Sequence, residues 1–169
     1  MTNLHQIPAT HSNEWYTPWE YVNAARQTMG GIDLDPASCA YANNVVQARE
    51  FFDMKDDGLM LNWEGRVFCN PPYGMRDGKS NQARWSTKFL TEYGEGRIEQ
   101  GVLLLNAMTA QRWFKPLWDF PLCFTYKRIR FYNKVGIMTQ PTNGNVFVYV
   151  GGNVTRFRQA FEPFGKVIA

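Results

Sequence analysis

The stretch Val67-Phe68-Cys69-Asn70-Pro71-Pro72-Tyr73-Gly74 constrains this chain more than any other. Val67, Phe68 and Cys69 read as a short buried strand. Two consecutive prolines cannot donate to a sheet ladder, so the strand must stop at Asn70. A polar side chain at a strand end stands at the sheet edge where α/β proteins bind ligands. Asn70 brings a carbonyl oxygen, and the main-chain carbonyls of Pro71 and Pro72 come without neighbouring N–H donors. The result is a small group of acceptors with an aromatic face, Tyr73, beside it. Such a group suits an amino substituent on a planar ring. The exocyclic nitrogen of adenine is a poor nucleophile because its lone pair is delocalised into the ring. Two acceptors on its two hydrogens draw the nitrogen toward a tetrahedral shape and localise the pair. Tyr73 is placed to stack on the ring, and a base must leave the duplex to arrive there. The same residues also describe a plain turn, with Pro-Pro as punctuation and Tyr73 as packing.

Histidine usage narrows the chemistry. His5 and His11 are the only two, both in a polar start, so an imidazole base inside the fold and a His/Cys metal site are not expected. Cys39, Cys69 and Cys123 are widely spaced and odd in number, which reads as reduced thiols. With 169 residues, 44% of them hydrophobic, residues 14–169 suit one domain with its own core, and residues 1–13 read as a flexible tail. No apolar run is long enough to span a bilayer, and the expected location is the cytoplasm, that of the host if a phage encodes the chain. The net charge of +3 permits nucleic-acid binding through local clusters without demanding it.

In chain order, Thr17 reads as an N-cap, with Pro18 at the first helical position and Glu20 completing a capping box. The helix runs to about Met29 and stops at Gly30-Gly31. Ile32-Asp33-Leu34-Asp35-Pro36 reads as a strand ended by the proline. Tyr41 to Asn44 is a short helical turn and Val45 to Phe52 a second strand. Asp56-Asp57-Gly58-Leu59 reads as a turn. After Gly74 the segment MRDGKSNQARW reads as a mobile loop offering Arg76, Lys79 and Arg84 to a base or to phosphate. Ser80 to Tyr93 is an amphipathic helix with Trp85, Phe89, Leu90 and Tyr93 inward. Val102 to Leu105 is a buried strand ending in Asn106, and Thr109 caps a helix running through Leu117. Asn106 and Thr109 are expected on the same sheet edge as Asn70. Leu122 to Thr125 and Ile129 to Phe131 are short strands, with Arg128 and Arg130 on one face, in the densest basic stripe of the chain. A polar turn from Gln140 to Asn145 leads into a strand from Val146 to Val150. A last helix spans Asn153 to Phe164, and Gly165 to Ile168 adds a closing strand. The order implies a three-layer α/β fold.

The series EWYTP, IDLDPAS, DDGL, RVFCNPPYG and RWF resembles the small phage-type, Dam-like DNA N6-adenine methyltransferases, over Glu14 to Gly165. The resemblance implies a Rossmann-like methyltransferase fold with a reduced mixed sheet. It implies site-specific transfer of a methyl group from S-adenosylmethionine to N6 of adenine in DNA, without a metal. Asn70, Pro71, Pro72 and Tyr73 would be catalytic. Tyr16, Thr17 and Pro18 would lie over the cofactor. Asp33, Asp35, Pro36, Ala37 and Ser38 would form the first cofactor motif, and Asp57 would lie near the cofactor adenine, with Leu59 and Trp63 as an apolar wall. Arg76, Lys79, Arg84, Arg128 and Arg130 would meet DNA. The chain departs from the commoner pattern, since Cys39-Ala40 follows Ser38 where a Gly-x-Gly is usual. The acid that holds the cofactor ribose has only Asn43 and Asp53 as candidates. Methylation of RNA or of a protein glutamine uses similar motifs, and a nucleic-acid-binding protein that has lost its cofactor is a third reading. The target sequence and the oligomeric state are not legible.

Overall fold

A computed structural model describes residues 15–136, 138–139 and 142–169. The tail 1–13 with its two histidines, Glu14, and Gln140-Pro141 of the polar turn lie outside them. A seven-stranded sheet in the order β2-β1-β3-β6-β8-β7-β9 organises the chain. Its parallel half holds β2 (Glu50–Phe51), β1 (Leu34–Asp35), β3 (Gly65–Cys69) and β6 (Ile98–Asn106). The antiparallel half holds β8 (Asn145–Val150), β7 (Leu122–Thr125) and β9 (Gly165–Ile168).

Alternation along the strands explains the layers. Phe68, Val102, Leu104, Phe147 and Tyr149 face one side, where they meet α1 (Trp19–Met29), α2 (Ala40–Val46) and α4 (Val154–Phe161). Val67, Cys69, Leu103, Leu105, Val146 and Val148 face the other, against α3 (Asn81–Gly94) and a 3-10 helix at Arg112–Asp119. The result is the expected three-layer α/β fold with a mixed sheet, of seven strands, consistent with a Rossmann-like methyltransferase fold. The chain leaves β1 for β2 on one side and reaches β3 on the other. That reversal opens a crevice between the carboxyl ends of β1 and β3, the topological switch point at which such sheets bind ligands.

Several local expectations are corrected. Thr17 does not cap α1. Tyr16 is paired with Tyr132 in an antiparallel bridge, which keeps the chain extended, so Pro18 with ψ 145° occupies the cap position and the helix starts at Trp19. The helix does end as expected, at Gly30 in the left-handed region. The strand expected from Val45 to Phe52 shrinks to Glu50–Phe51, because α2 continues to Val46. The Asn43 side chain then clamps both main-chain groups of Ala48, at 2.9 and 3.2 Å. The segment expected as a loop after Gly74 is a two-stranded hairpin, β4 (Met75–Arg76) against β5 (Lys79–Ser80). Asp77 and Gly78 both have positive φ, the turn geometry that matches strand twist and favours Asp-Gly. Thr109 caps nothing. The helix after it begins at Arg112 behind Gln111 and is 3-10 with Pro116 inside. Ile129 to Phe131 joins no ladder among the described residues. Its alternation survives, with Ile129 and Phe131 buried and Arg128 and Arg130 exposed, but the Ile129 amide is taken by a side chain instead of a strand. No helix among the described residues is long and apolar enough to cross a membrane.

Candidate active site

The switch-point crevice widens into a cavity of about 1140 Å³. Asn70 lines it, because the Pro71-Pro72 pair ends β3 one residue earlier. Its amide orientation is forced. The Asn70 Nδ2 donates to the Trp15 carbonyl at 3.4 Å, and a carbonyl can only accept. The Oδ1 therefore faces the other way, where the Tyr73 hydroxyl donates to it at 3.0 Å. Tyr73 is further held edge-on to Phe131, with ring centroids 6.0 Å apart, and burial pushes its hydroxyl pKa well up. It remains a neutral donor at any ordinary pH. Pro71 is buried and Pro72 exposed, and both line the cavity.

One end of the cavity is built by the turn after β1. Pro36, Ala37, Ser38 and Cys39 line it, and so do Phe52, Asp53, Asp57 and Leu59 from the segments after β2. Asp35 itself does not line the cavity. It is buried at 3% exposure, and its Oδ1 accepts from the Ala37 amide at 3.2 Å, an Asx turn that shapes the lining backbone. Burial pushes its carboxyl up to about 7, opposed by the Ala37 amide and the nearby Ser38 hydroxyl. That hydroxyl is buried. The close approach that a glycine after β1 usually permits comes from the facing loop. A Cβ on Gly58 would lie 2.1 Å from the Pro36 carbonyl oxygen, and Trp63 Nε1 donates to the Gly58 carbonyl at 2.7 Å. Trp63 thus supports the wall from the core and is fully buried, so it does not line the cavity as expected.

The other end is lined by Tyr73, Ile129, Phe131, Asn106 and Asn145, with Thr139 and Asn143. The connection between β7 and β8 supplies most of it. Trp15 and Tyr16 bridge the two ends. Tyr16 exchanges main-chain hydrogen bonds with Tyr132, at 2.8 and 3.2 Å, while its hydroxyl is approached by the Cys39 thiol.

Of the residues singled out in the sequence, the cavity brings together Asn70, Pro71, Pro72, Tyr73, Tyr16, Pro36, Ala37, Ser38, Asp57 and Arg76. Asp53, one of two guesses for a ribose acid, lines it, and Asn43, the other, does not. Thr17 is buried outside the lining, and Pro18 serves the helix start. Asp33 points elsewhere. It pairs with Arg66, Nε to Oδ2 at 2.7 Å, which holds its carboxyl at about 2, and with Arg49. Arg76 spans the mouth to Asp57 at 3.9 Å, and Asp77 on the same hairpin draws in Arg84 at 3.8 Å. Lys79 is exposed on the hairpin, and Arg128 and Arg130 are exposed beside the lining residue Ile129. Thr109 is exposed and outside the lining. Sequence reasoning missed Ile129, Phe131 and Asn145 as lining residues. The one signal was the polar turn before β8, whose last residue is Asn145.

A family model described as DNA N-6-adenine-methyltransferase (Dam) matches residues 5–150. No curated protein matches the chain.

Proposed function

Because this chain belongs to the DNA N-6-adenine-methyltransferase (Dam) family, and is therefore a methyltransferase acting on adenine in DNA, we propose that Asn70 and the Pro71 carbonyl receive the amino group of an extruded adenine while S-adenosylmethionine occupies the β1–β2 end of the cavity. The observation that carries this reading is the forced orientation of Asn70. Its Nδ2 is committed to Trp15, so a carbonyl oxygen is presented to the cavity. The Tyr73 hydroxyl already uses that oxygen as an acceptor, as an amino hydrogen would.

The residues of the other end fit the cofactor. Ser38 lines that end and brings a hydroxyl that a bound polar group can reach. Phe52 and Leu59 offer apolar faces for a purine, and Asp53, two residues after β2, offers a carboxylate for ribose hydroxyls. Asp57 adds a second negative charge suited to a cationic ligand. When bound, S-adenosylmethionine supplies an activated methyl group on a sulfonium. The chain's own residues orient the base, localise the lone pair of its amino nitrogen and exclude water with Tyr73 and Phe131. The proton lost after transfer passes to solvent. Rate enhancement comes from positioning and preorganised acceptors. Basic residues on both sides of the mouth, Arg76, Lys79 and Arg84 on one and Arg128 and Arg130 on the other, would contact phosphate. Residues 14–169 act as one methyltransferase domain in this reading, and site specificity rests on short segments such as the hairpin.

The test is transfer of labelled methyl groups from S-adenosylmethionine to duplex DNA, structured RNA and a glutamine-containing protein, followed by mass spectrometry of the products. N6-methyldeoxyadenosine in the DNA digest is expected. Label confined to RNA or protein would contradict the proposal.

A further inference from the structure

Three asparagines stand at the carboxyl edge of the parallel strands, and all three line the cavity: Asn70 after β3, Asn106 at the end of β6 and Asn145 at the start of β8. Strands β3 and β6 are neighbours, with Cys69 opposite Leu103, and Asn106 is paired with Asn145 across β6 and β8. The side-chain orientations of the second and third follow from one another. The Ile129 amide donates to Asn145 Oδ1 at 3.0 Å. A main-chain N–H can only donate, so the Asn145 carbonyl end is fixed there. Asn145 Nδ2 therefore faces Asn106 and donates to its Oδ1 at 3.4 Å. That in turn turns the Asn106 amide nitrogen away from Asn145. The main chain of Asn106 is equally committed. Its N–H donates to the buried Gln82 Oε1 at 2.7 Å, and its carbonyl accepts from Met108 at 2.8 Å. Among the described residues nothing accepts from Asn106 Nδ2. A cavity residue is thus held rigidly with one donor unused, on the strand next to the one that ends in Asn70.

We infer that Asn106 is a second base-reading residue, whose Nδ2 donates to a ring nitrogen beside the amino group of the extruded adenine, N1 or N7, with Asn145 as the positioning residue that fixes it as a donor. The inference rests on the proposed placement of adenine against Asn70. It gives the site a paired code. Asn70 accepts from the amino group and Asn106 donates to the ring, so a base with a keto group is refused at Asn70, and a protonated N1 is refused at Asn106 as well where N1 is the contacted nitrogen. An unmet buried hydrogen-bonding group is the stronger half of such discrimination.

The experiment uses duplexes with adenine, 1-deazaadenine or 7-deazaadenine at the methylated position, and compares wild type with Asn106→Ala and Asn106→Asp. On adenine, Asn106→Ala should lower kcat/KM about tenfold, the worth of one hydrogen bond to a neutral group. Asn106→Asp should lose at least as much, because an acceptor then faces an acceptor. On the deaza base that lacks the contacted nitrogen, wild type should fall to the level of Asn106→Ala, and the variant should lose nothing further. Taking the ratio of enzymes on each substrate cancels any change in the cost of extrusion. Asn145→Asp keeps the acceptor for Ile129 but presents a second acceptor to Asn106. It should invert the Asn106 amide and reproduce the Asn106→Asp pattern. A penalty for Asn106→Ala that is equal on all three bases overturns the inference, and so does a loss of S-adenosylmethionine affinity as large as the loss of rate. Failure of wild type to methylate adenine at all would instead overturn the proposed function.

Discussion

Asn70 and Tyr73 are coupled in a way that bears on how the base enters. The Tyr73 hydroxyl takes the Asn70 oxygen that the adenine amino group is proposed to use. Entry of the base therefore exchanges one donor for another at the same acceptor, and the ring of Tyr73 is left to stack. Tyr73→Phe keeps the ring and removes the competing donor, so its kcat/KM should equal or slightly exceed that of wild type. Tyr73→Ala should lose about 1–3 kcal/mol of base stacking, and less on a substrate whose target adenine is mispaired, where extrusion costs less. Single-turnover rates on matched and mismatched duplexes measure both effects. Equal rates for all three proteins would reduce Tyr73 to packing. Asn70 was legible in the sequence because two prolines fix where a strand ends. The direction of its amide was not, since that depends on Trp15, fifty-five residues away in the chain. Asp35 was legible as a strand-end acid. Its burial beneath the turn was not, because sequence alternation does not say which side of an edge turn a carboxylate takes.

Among elements, the turn after β1 and the loop around Gly58 form a single device. The sequence lacks the glycines usual after Asp35, and the close contact is made from the other side, by Gly58 against the Pro36 carbonyl. Gly58→Ala should therefore cost about 1–3 kcal/mol of stability through overpacking. It should weaken S-adenosylmethionine binding more than it weakens DNA binding, as calorimetry and an anisotropy titration would read. The hairpin β4–β5 and the connection carrying Arg130 flank the mouth. Arg76→Ala and Arg130→Ala should each flatten the dependence of log DNA affinity on log salt by about 1, uniformly across sequences. An unchanged slope would remove that residue from the interface. Strands and helices with a full apolar pattern, such as β6, β8 and α3, were readable because burial on one or both faces dictates their residues. The short β2 and the Ile129–Phe131 segment were not. Their ends are decided by single side chains from neighbouring segments, Asn43 at Ala48 and Asn145 at Ile129, and no apolar pattern encodes such contacts.

For the whole molecule, the shifted carboxyls predict the stability profile. Asp35 has its folded pKa raised to about 7 by burial, above the ordinary Asp value of about 3.9 in an unfolded chain. Between those values the folded state binds the extra proton, so stability falls as pH rises through the window and is flat above it. Asp33 and Glu92, held low by their arginine and lysine partners, act in the opposite sense and only near or below their ordinary pKa values. From about pH 5 to 7, Tm of the cofactor-free protein should therefore drop, and Asp35→Asn should abolish the drop. A wild-type Tm that rises across that interval would contradict the burial of Asp35. In the proposed arrangement one crevice holds cofactor and base side by side, and Asn70 addresses only the base. Asn70→Ala tests it most directly, with S-adenosylmethionine affinity and single-turnover methyl transfer measured on the same folded preparation. Cofactor affinity within a few-fold of wild type and loss of transfer to DNA are expected. Substantial transfer by that variant, or loss of cofactor binding in step with activity, would contradict it.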